Sequence, residues 1–337
     1  MAVGVSRTNR IASFVLEKAI PQISNEIKRN DGIVAVFGQD GRIEVVDGGD
    51  LFEMRLERAE NSNFGFRTKF AQIPTDQQDN WLTAKYGQAV LSGSAVINDV
   101  EKAQNQGEYA ISNMLKEMIV NANNTIVRQV ADGLRAASPG ANDPESIRSL
   151  LSETAFGSQT GTIGGLSQAT YSTFWQNQVS TTAAALTAQA GVATLEQFYW
   201  NSVAKGAARR EQPNFGLTTG TIYASLSAFG DNQRRYMKNE ALEKIGFSAI
   251  ELLNMRIIAD PSVLAGRLYL LNTMFMKLQV LRTPQMKSIG DNPQTLPVSV
   301  KPFQSDIDSL NSVALMYIVM NLTANSLQRQ GVMTAVT

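Results

Sequence analysis

"TIGGLSQATYSTFWQNQ", residues 162–178, sets Gly164 and Gly165 just ahead of Tyr171, Phe174 and Trp175 in a chain that is only 7% aromatic. Adjacent glycines suit a tight turn and a close backbone approach. They do not make a phosphate cradle. Neither GxxxxGK[ST] nor GxGxxG occurs across Gly157, Gly161, Gly164 and Gly165, and the required Lys is missing. The aromatics do not read as a stacking platform for bases either, because such platforms interleave with cations and residues 162–200 contain no Lys or Arg. The stretch therefore reads as a glycine turn beside a packed aromatic cluster, within one subunit or between two.

Working outward, 337 residues with 43% hydrophobic and 18% charged can bury a large core, as two modules or one elongated one. Lys plus Arg balances Asp plus Glu at 30 each, so no overall field draws nucleic acid or anionic membrane from a distance. The chain has no Cys and no His. Disulfides, thiolate metal sites and cysteine nucleophiles are excluded, and the commonest general base is missing. The pairs Asp76/Asp79 and Asp306/Asp308 lack further ligands at metal spacing and read as solvated loop acids. No GxSxG elbow occurs. The sequence nominates no catalytic, cofactor-binding or metal-ligating residue, and a non-catalytic protein is expected. No apolar run approaches a membrane span and the first twenty residues lack a signal-peptide pattern, which reads as a soluble intracellular product with no membrane partner.

The periodicities describe a mixed α+β chain. Ile11, Phe14, Val15, Ala19 and Ile20 form one face of a short amphipathic helix that Pro21 interrupts. "LFEMRLE", residues 51–57, alternates Phe52, Met54 and Leu56 with Glu53, Arg55 and Glu57, the period of a strand with one apolar and one charged face. A second extended stretch, Trp81 to Ile97 and including Tyr86, follows a long polar connection, and together the two predict a long hairpin with a broad tip. A lone hairpin is marginal in water, so its apolar face needs a surface from the same chain or from a neighbouring subunit.

Apolar residues at three- and four-residue steps from Ile111 to Leu134 predict one long helix, stopped by Ser138, Pro139 and Gly140. "NDPESIRSLLSE" predicts a short helix with Pro144 in its first turn, and "ATLEQFYWNSVAKGA" a longer one. "FGLTTGTIYASLSAF" reads as strand, Thr cap and helix; "MRIIAD" and "GRLYLLN" read as strands. The proline-rich stretch from Arg282 to Phe303 reads as a loop, and the apolar C-terminal run as a buried strand, a turn and a last strand.

In this order, the arm, hairpin, long helix, glycine-aromatic stretch, "ADPSVLAGRLYLLN" hairpin and closing "NLTANSLQRQG" resemble the major capsid proteins of tailed phages, which share the Johnson, or Hong Kong phage capsid, fold. The resemblance implies an N-terminal arm over 1–45 and an extended hairpin loop over 46–100. It implies a peripheral domain with a long spine helix over 101–210 and 311–337, and an axial domain over 211–310. It further implies a homo-oligomer of pentamers and hexamers closing an icosahedral shell around double-stranded DNA, assembled in the host cytoplasm and resident in the virion. A separate scaffolding protein, a portal and a decoration protein are the implied partners, with no cofactor.

Under this resemblance Phe52, Glu53, Met54, Arg55, Leu56, Glu57, Trp81, Tyr86, Gly164, Gly165, Tyr171, Phe174 and Trp175 are candidates for contacts between subunits. Arg7 and Arg10 are candidates for sequence-independent DNA contact on the inner face. Some members of the family crosslink a hairpin Lys to an Asn, for which Lys69, Lys85, Asn321 and Asn325 lie in the right regions. An encapsulin-like compartment or a gene transfer agent shell is the same-fold alternative, and a monomeric enzyme using carboxylates or Lys is the alternative of another class.

Overall fold

The computed structural model describes residues 32–59, 61–69, 71–98, 100, 121–122, 125–126, 128–186, 188–203, 212–233, 237–238, 249–261, 263–283, 298–305 and 311–337. The amphipathic segment 11–20, Arg7, Arg10, the first part of the long helix and the pair Asp306/Asp308 lie outside the described residues.

Two sheets organise the fold. The first has five strands: β1 (Ile43–Val46), β4 (Ala89–Asn98), β13 (Met276–Leu281), β14 (Ser299–Ser305) and β15 (Asn311–Ala324). Its axis is β15, which pairs β4 without a register break from Asn311↔Asn98 to Met320↔Ala89 and carries β14 and then β13 along its other side. The second has seven strands, in the order β7 (Gln178–Ser180), β16 (Gly331–Met333), β12 (Leu268–Leu271), β8 (Phe215–Thr218), β11 (Met255–Ala259), β10 (Ala249–Leu252) and β9 (Met237–Lys238). The described residues also form two short ribbons: β2 (Phe52–Glu57) with β3 (Trp81–Tyr86), and β5 (Thr162–Ile163) with β6 (Leu166–Ser167).

Central strands of the seven-stranded sheet are buried on both faces, which is why "FGLT" and "LYLL" are apolar or small throughout. One face takes Leu195, Phe198 and Tyr199 of α3 (Gln189–Val203) and Ile222 and Leu226 of α4 (Gly220–Gln233), over Ile257, Leu268 and Leu270. The opposite face, through Leu217, Tyr269 and Leu271, enters a larger core. That core also gathers α1 (Gly32–Gln39), Val130 and Leu134 of the helical residues 128–135, the base of the β2–β3 hairpin and the inner face of the five-stranded sheet. Three ion pairs pin the seven-stranded sheet to the rest: Arg256 to Asp40 at 2.6 Å, Arg135 to Asp260 at 2.6 Å and Arg267 to Glu153 at 2.9 Å.

Several expectations are corrected. Among the described residues the hairpin pairs Phe52–Glu57 with Trp81–Tyr86 alone, and after Gly87 and Gln88 the chain leaves it to become β4 of the five-stranded sheet. "MRIIAD" and "GRLYLLN" form no hairpin, because β8 lies between them, parallel to β11 and antiparallel to β12. In the sheets, β16 joins β8 and β11, while β13 and β14 join β15. The stretch from Arg282 ends in a strand, with Pro302 at the register shift between Lys301 and Gln304, where a missing N–H costs no ladder bond. Pro144 precedes the first turn of α2 (Ile147–Leu150), whose N-cap is Ser146, closed into a capping box by Ser149.

Candidate assembly interface

The hairpin stem is fixed to its own chain by three devices. First, the alternation of β2 puts Phe52, Met54 and Leu56 into the large core, with Ala84 and Tyr86 beside them from β3. Second, the buried phenol of Tyr86 donates to the Ala324 carbonyl at 2.8 Å, and the Ala324 N–H reaches the same oxygen at 3.3 Å. Burial drives the Tyr86 pKa well above its ordinary 10.0, against the opposing pull of the Ala324 bond, so the group stays a neutral donor. Third, the β5–β6 turn seats against β3: the Lys85 N–H donates to the Gly164 carbonyl at 2.9 Å.

The seat needs glycine. Gly164 has φ of +55°, and a Cβ there would stand 2.9 Å from the Ala84 Cβ and 3.0 Å from the Tyr86 ring. Gly165, at φ of +73°, needs its conformation but has open space around it.

What holds the 152–178 loop is a knot of buried amides. Gln159 donates to the carbonyls of Thr154 and Asn177, Gln168 donates to the Gln159 side chain, and Gln176 donates to the carbonyls of Gln159 and Gln168. Asn177 pairs with Ser152 through both its amide atoms, and the Gly157 N–H donates to Gln176 at 2.6 Å. Trp175, fully buried, donates its indole N–H to the Ile163 carbonyl at 3.1 Å. Sequence reasoning singled out the aromatics and missed the amides. The available signal was a run of Gln and Asn in a segment without cations.

Placement therefore sorts the candidates. Phe52, Met54, Leu56, Tyr86 and Trp175 are buried inside the chain, so the surface that the hairpin needed is supplied by the subunit itself. Tyr171 and Phe174 are half-buried, with ring centroids 5.4 Å apart, and pack against the same core. Glu53, Arg55, Glu57, Trp81 and Gly165 face solvent. Glu53 lies opposite Lys85, a surface pair at 3.4 Å. Of the crosslink candidates, Asn321 is already engaged, donating to the Gly87 carbonyl and accepting from the Glu145 N–H.

Beyond the stem, the tip is organised by polar bonds. Asn63 donates to the Asp76 carbonyl at 2.8 Å, Gln78 bonds both Ser62 and Asn63, and Arg67 donates to the Asn63 carbonyl at 2.7 Å. Around this frame the apolar side chains point outward: Phe64 is 83% exposed, Ile73 71% and Phe66 fully. Trp81, at the top of the stem, is 61% exposed. The tip is an apolar surface without a partner among the described residues.

Among the described residues no group of three or more Asp or Glu side chains is placed to hold a metal ion, and no helix is long and apolar enough to cross a membrane.

The fold is that of viral and virus-like shells. The chain is similar to a protein of the cyanophage A-1(L) capsid asymmetric unit, with 17% identity and a TM-score of 0.67 over 89% of this chain and 92% of that one. It is similar to the capsid of an empty GTA particle at 10% identity, TM-score 0.54, over 88% and 94%, and to the capsid of Myoviridae phage XM1 at 11% identity, TM-score 0.50, over 88% and 91%. The sequence matches no curated protein. Residues 57–293, well over half of the chain, match the family model of the SU10 major capsid protein. An exposed apolar hairpin tip on a stem locked to its own core thus sits in a chain that belongs to the SU10 major capsid protein family.

Proposed function

We propose that the protein is the shell-forming subunit of a tailed phage, assembling as pentamers and hexamers into an icosahedral shell around double-stranded DNA, and that its work is assembly rather than catalysis. The observation that carries this reading is the tip: Phe64, Phe66 and Ile73 stand in solvent on a hydrogen-bonded frame, held out by a stem with three attachments. Large apolar groups displayed this way mark a docking surface. Laid across an adjacent subunit, each would contribute about 1.5–3 kcal/mol of burial, repeated at every equivalent contact of a closed shell.

Glu53, Arg55 and Glu57 then serve as charges that set register on the neighbour, and Trp81 as an apolar contact at the stem. Phe52, Met54, Leu56, Tyr86, Gly164 and Trp175 act from inside, by fixing the direction in which the tip projects. DNA contact would be sequence-independent and would use Arg7 and Arg10. A separate scaffold, a portal and a decoration protein complete the expected partners, with assembly in the host cytoplasm.

Deletion of residues 59–79 tests the reading. The expected outcome is a soluble subunit with the unfolding midpoint of the full chain and no closed particles in electron micrographs. Normal shells from the deleted chain would overturn the role of the tip.

A further inference from the structure

Residues 47–51 join β1 to β2 across the root of the hairpin, and they open on Asp47 and Gly48. An aspartate followed by glycine can react with itself: the next main-chain nitrogen attacks the side-chain carboxyl, and glycine, lacking a Cβ, leaves that approach open. Three such pairs lie wholly within the described residues, and the fold treats them differently. At Asp40 the carboxylate is held by Arg256 and by the Thr273 hydroxyl, both at 2.6 Å, and the Gly41 N–H donates to the Gly38 carbonyl. Asp132 lies inside the helical residues 128–135, where the Gly133 N–H is committed to the helix ladder. Asp47 has neither restraint. Among the described residues the Gly48 N–H has no acceptor, both residues are exposed, and Gly48 sits in a bend at φ of +77°. The Asp47 side chain is 75% exposed, and its ion pair with Arg282 at 2.5 Å is a surface pair that water screens.

We propose that the Asp47-Gly48 pair is a modification site, which forms a succinimide unaided and converts with age to an isoaspartyl link. The Gly48 nitrogen bonds to Cγ of the protonated Asp47 carboxyl, and the N–H proton and the carboxyl hydroxyl leave together as one water. A second water then opens the ring. Addition at Cγ restores aspartate; addition at the Asp47 main-chain carbonyl carries the backbone through Cγ and leaves the α-carboxyl as the side group. Mass is unchanged and one methylene enters the main chain. That length falls between two fixed points. Val46 is held in register with Leu281 and its carbonyl accepts the Arg282 N–H, while Phe52 is buried in the large core. The link between them must bulge, and the bond from the Gln88 side chain to the Gly49 carbonyl, at 2.7 Å, is the contact it strains first. The site belongs to the subunit whether or not shells form.

The test ages the full-length chain for several weeks at neutral pH and physiological temperature. Isoaspartate is then mapped by methyltransferase labelling and by electron-transfer fragmentation of tryptic peptides. The native chain is expected to accumulate roughly tenfold more at Asp47 than at Asp40 or Asp132, since reaction at those two waits on local opening. The same chain aged in urea should lose the preference, because each aspartate then has a glycine next to it and no fold to shield it. Asp47→Glu keeps the charge but needs a larger ring that closes far more slowly, and it should abolish the signal from the peptide spanning 43–55. Equal accumulation at all three aspartates in the native chain, or no isoaspartate at Asp47 where the urea-aged chain forms it, would overturn the proposal.

Discussion

The Tyr86 hydroxyl meets both the carbonyl and the N–H of Ala324, at 2.8 and 3.3 Å, and so ties the foot of the hairpin to the end of the longest strand. Tyr86→Phe keeps the ring and abandons both backbone groups in a buried place, a loss of about 1–3 kcal/mol. Chemical denaturation at neutral pH should show that drop with an unchanged m-value. The same residue sets an alkaline limit. Its folded pKa is raised above the unfolded 10.0, so its contribution is complete below pH 10.0 and declines as pH rises beyond it, by about 1.4 kcal/mol per unit. Tyr86→Phe should therefore show a shallower loss of stability above pH 10.0 than the parent; identical slopes would count against a neutral buried phenol.

Gly164 and Gly165 should differ sharply on substitution. Gly164→Ala combines an unfavourable φ with a Cβ pressed on Ala84 and Tyr86, for about 2–4 kcal/mol. Gly165→Ala meets only the backbone penalty, about 1 kcal/mol, because its surroundings are open. Thermal unfolding of the two variants, with proteolysis of the hairpin as a local probe, checks the order. Equal effects would mean that the turn does not seat on β3.

Gln176→Leu should be among the most damaging polar substitutions in the chain. It strands the carbonyls of Gln159 and Gln168 in a buried setting and removes the acceptor of the Gly157 N–H, costing about 2–4 kcal/mol. Thr160→Ala, exposed and close by, should stay within about 0.5 kcal/mol of the parent. Urea midpoints of the two variants decide the matter.

How much of this was legible depended on whether the information was local. The alternation of Phe52, Met54 and Leu56, the strand and helix of "FGLTTGTIYASLSAF", and the strand-turn-strand close are short-range patterns, and they appear where expected. The departure of β4 from the hairpin was not legible, because Trp81–Ile97 is extended on both sides of Gly87 and only its partners change. The insertion of β8 between β11 and β12 is likewise a choice of partner across many residues. At the site, buried hydrophobics and exposed charges of β2 were distinguishable by period, but whether the buried face met its own chain or a neighbour was not. The amide knot was hidden by composition: Gln159, Gln168 and Gln176 look like loop residues until each is seen to satisfy another's backbone.

The most direct measurement is negative-stain electron microscopy, with sedimentation, of the purified full chain alone and co-expressed with a scaffold. The account predicts capsomer rings or uniform polyhedral shells, and nuclease-protected DNA in particles from infected cells. A small monomer under every condition would contradict it.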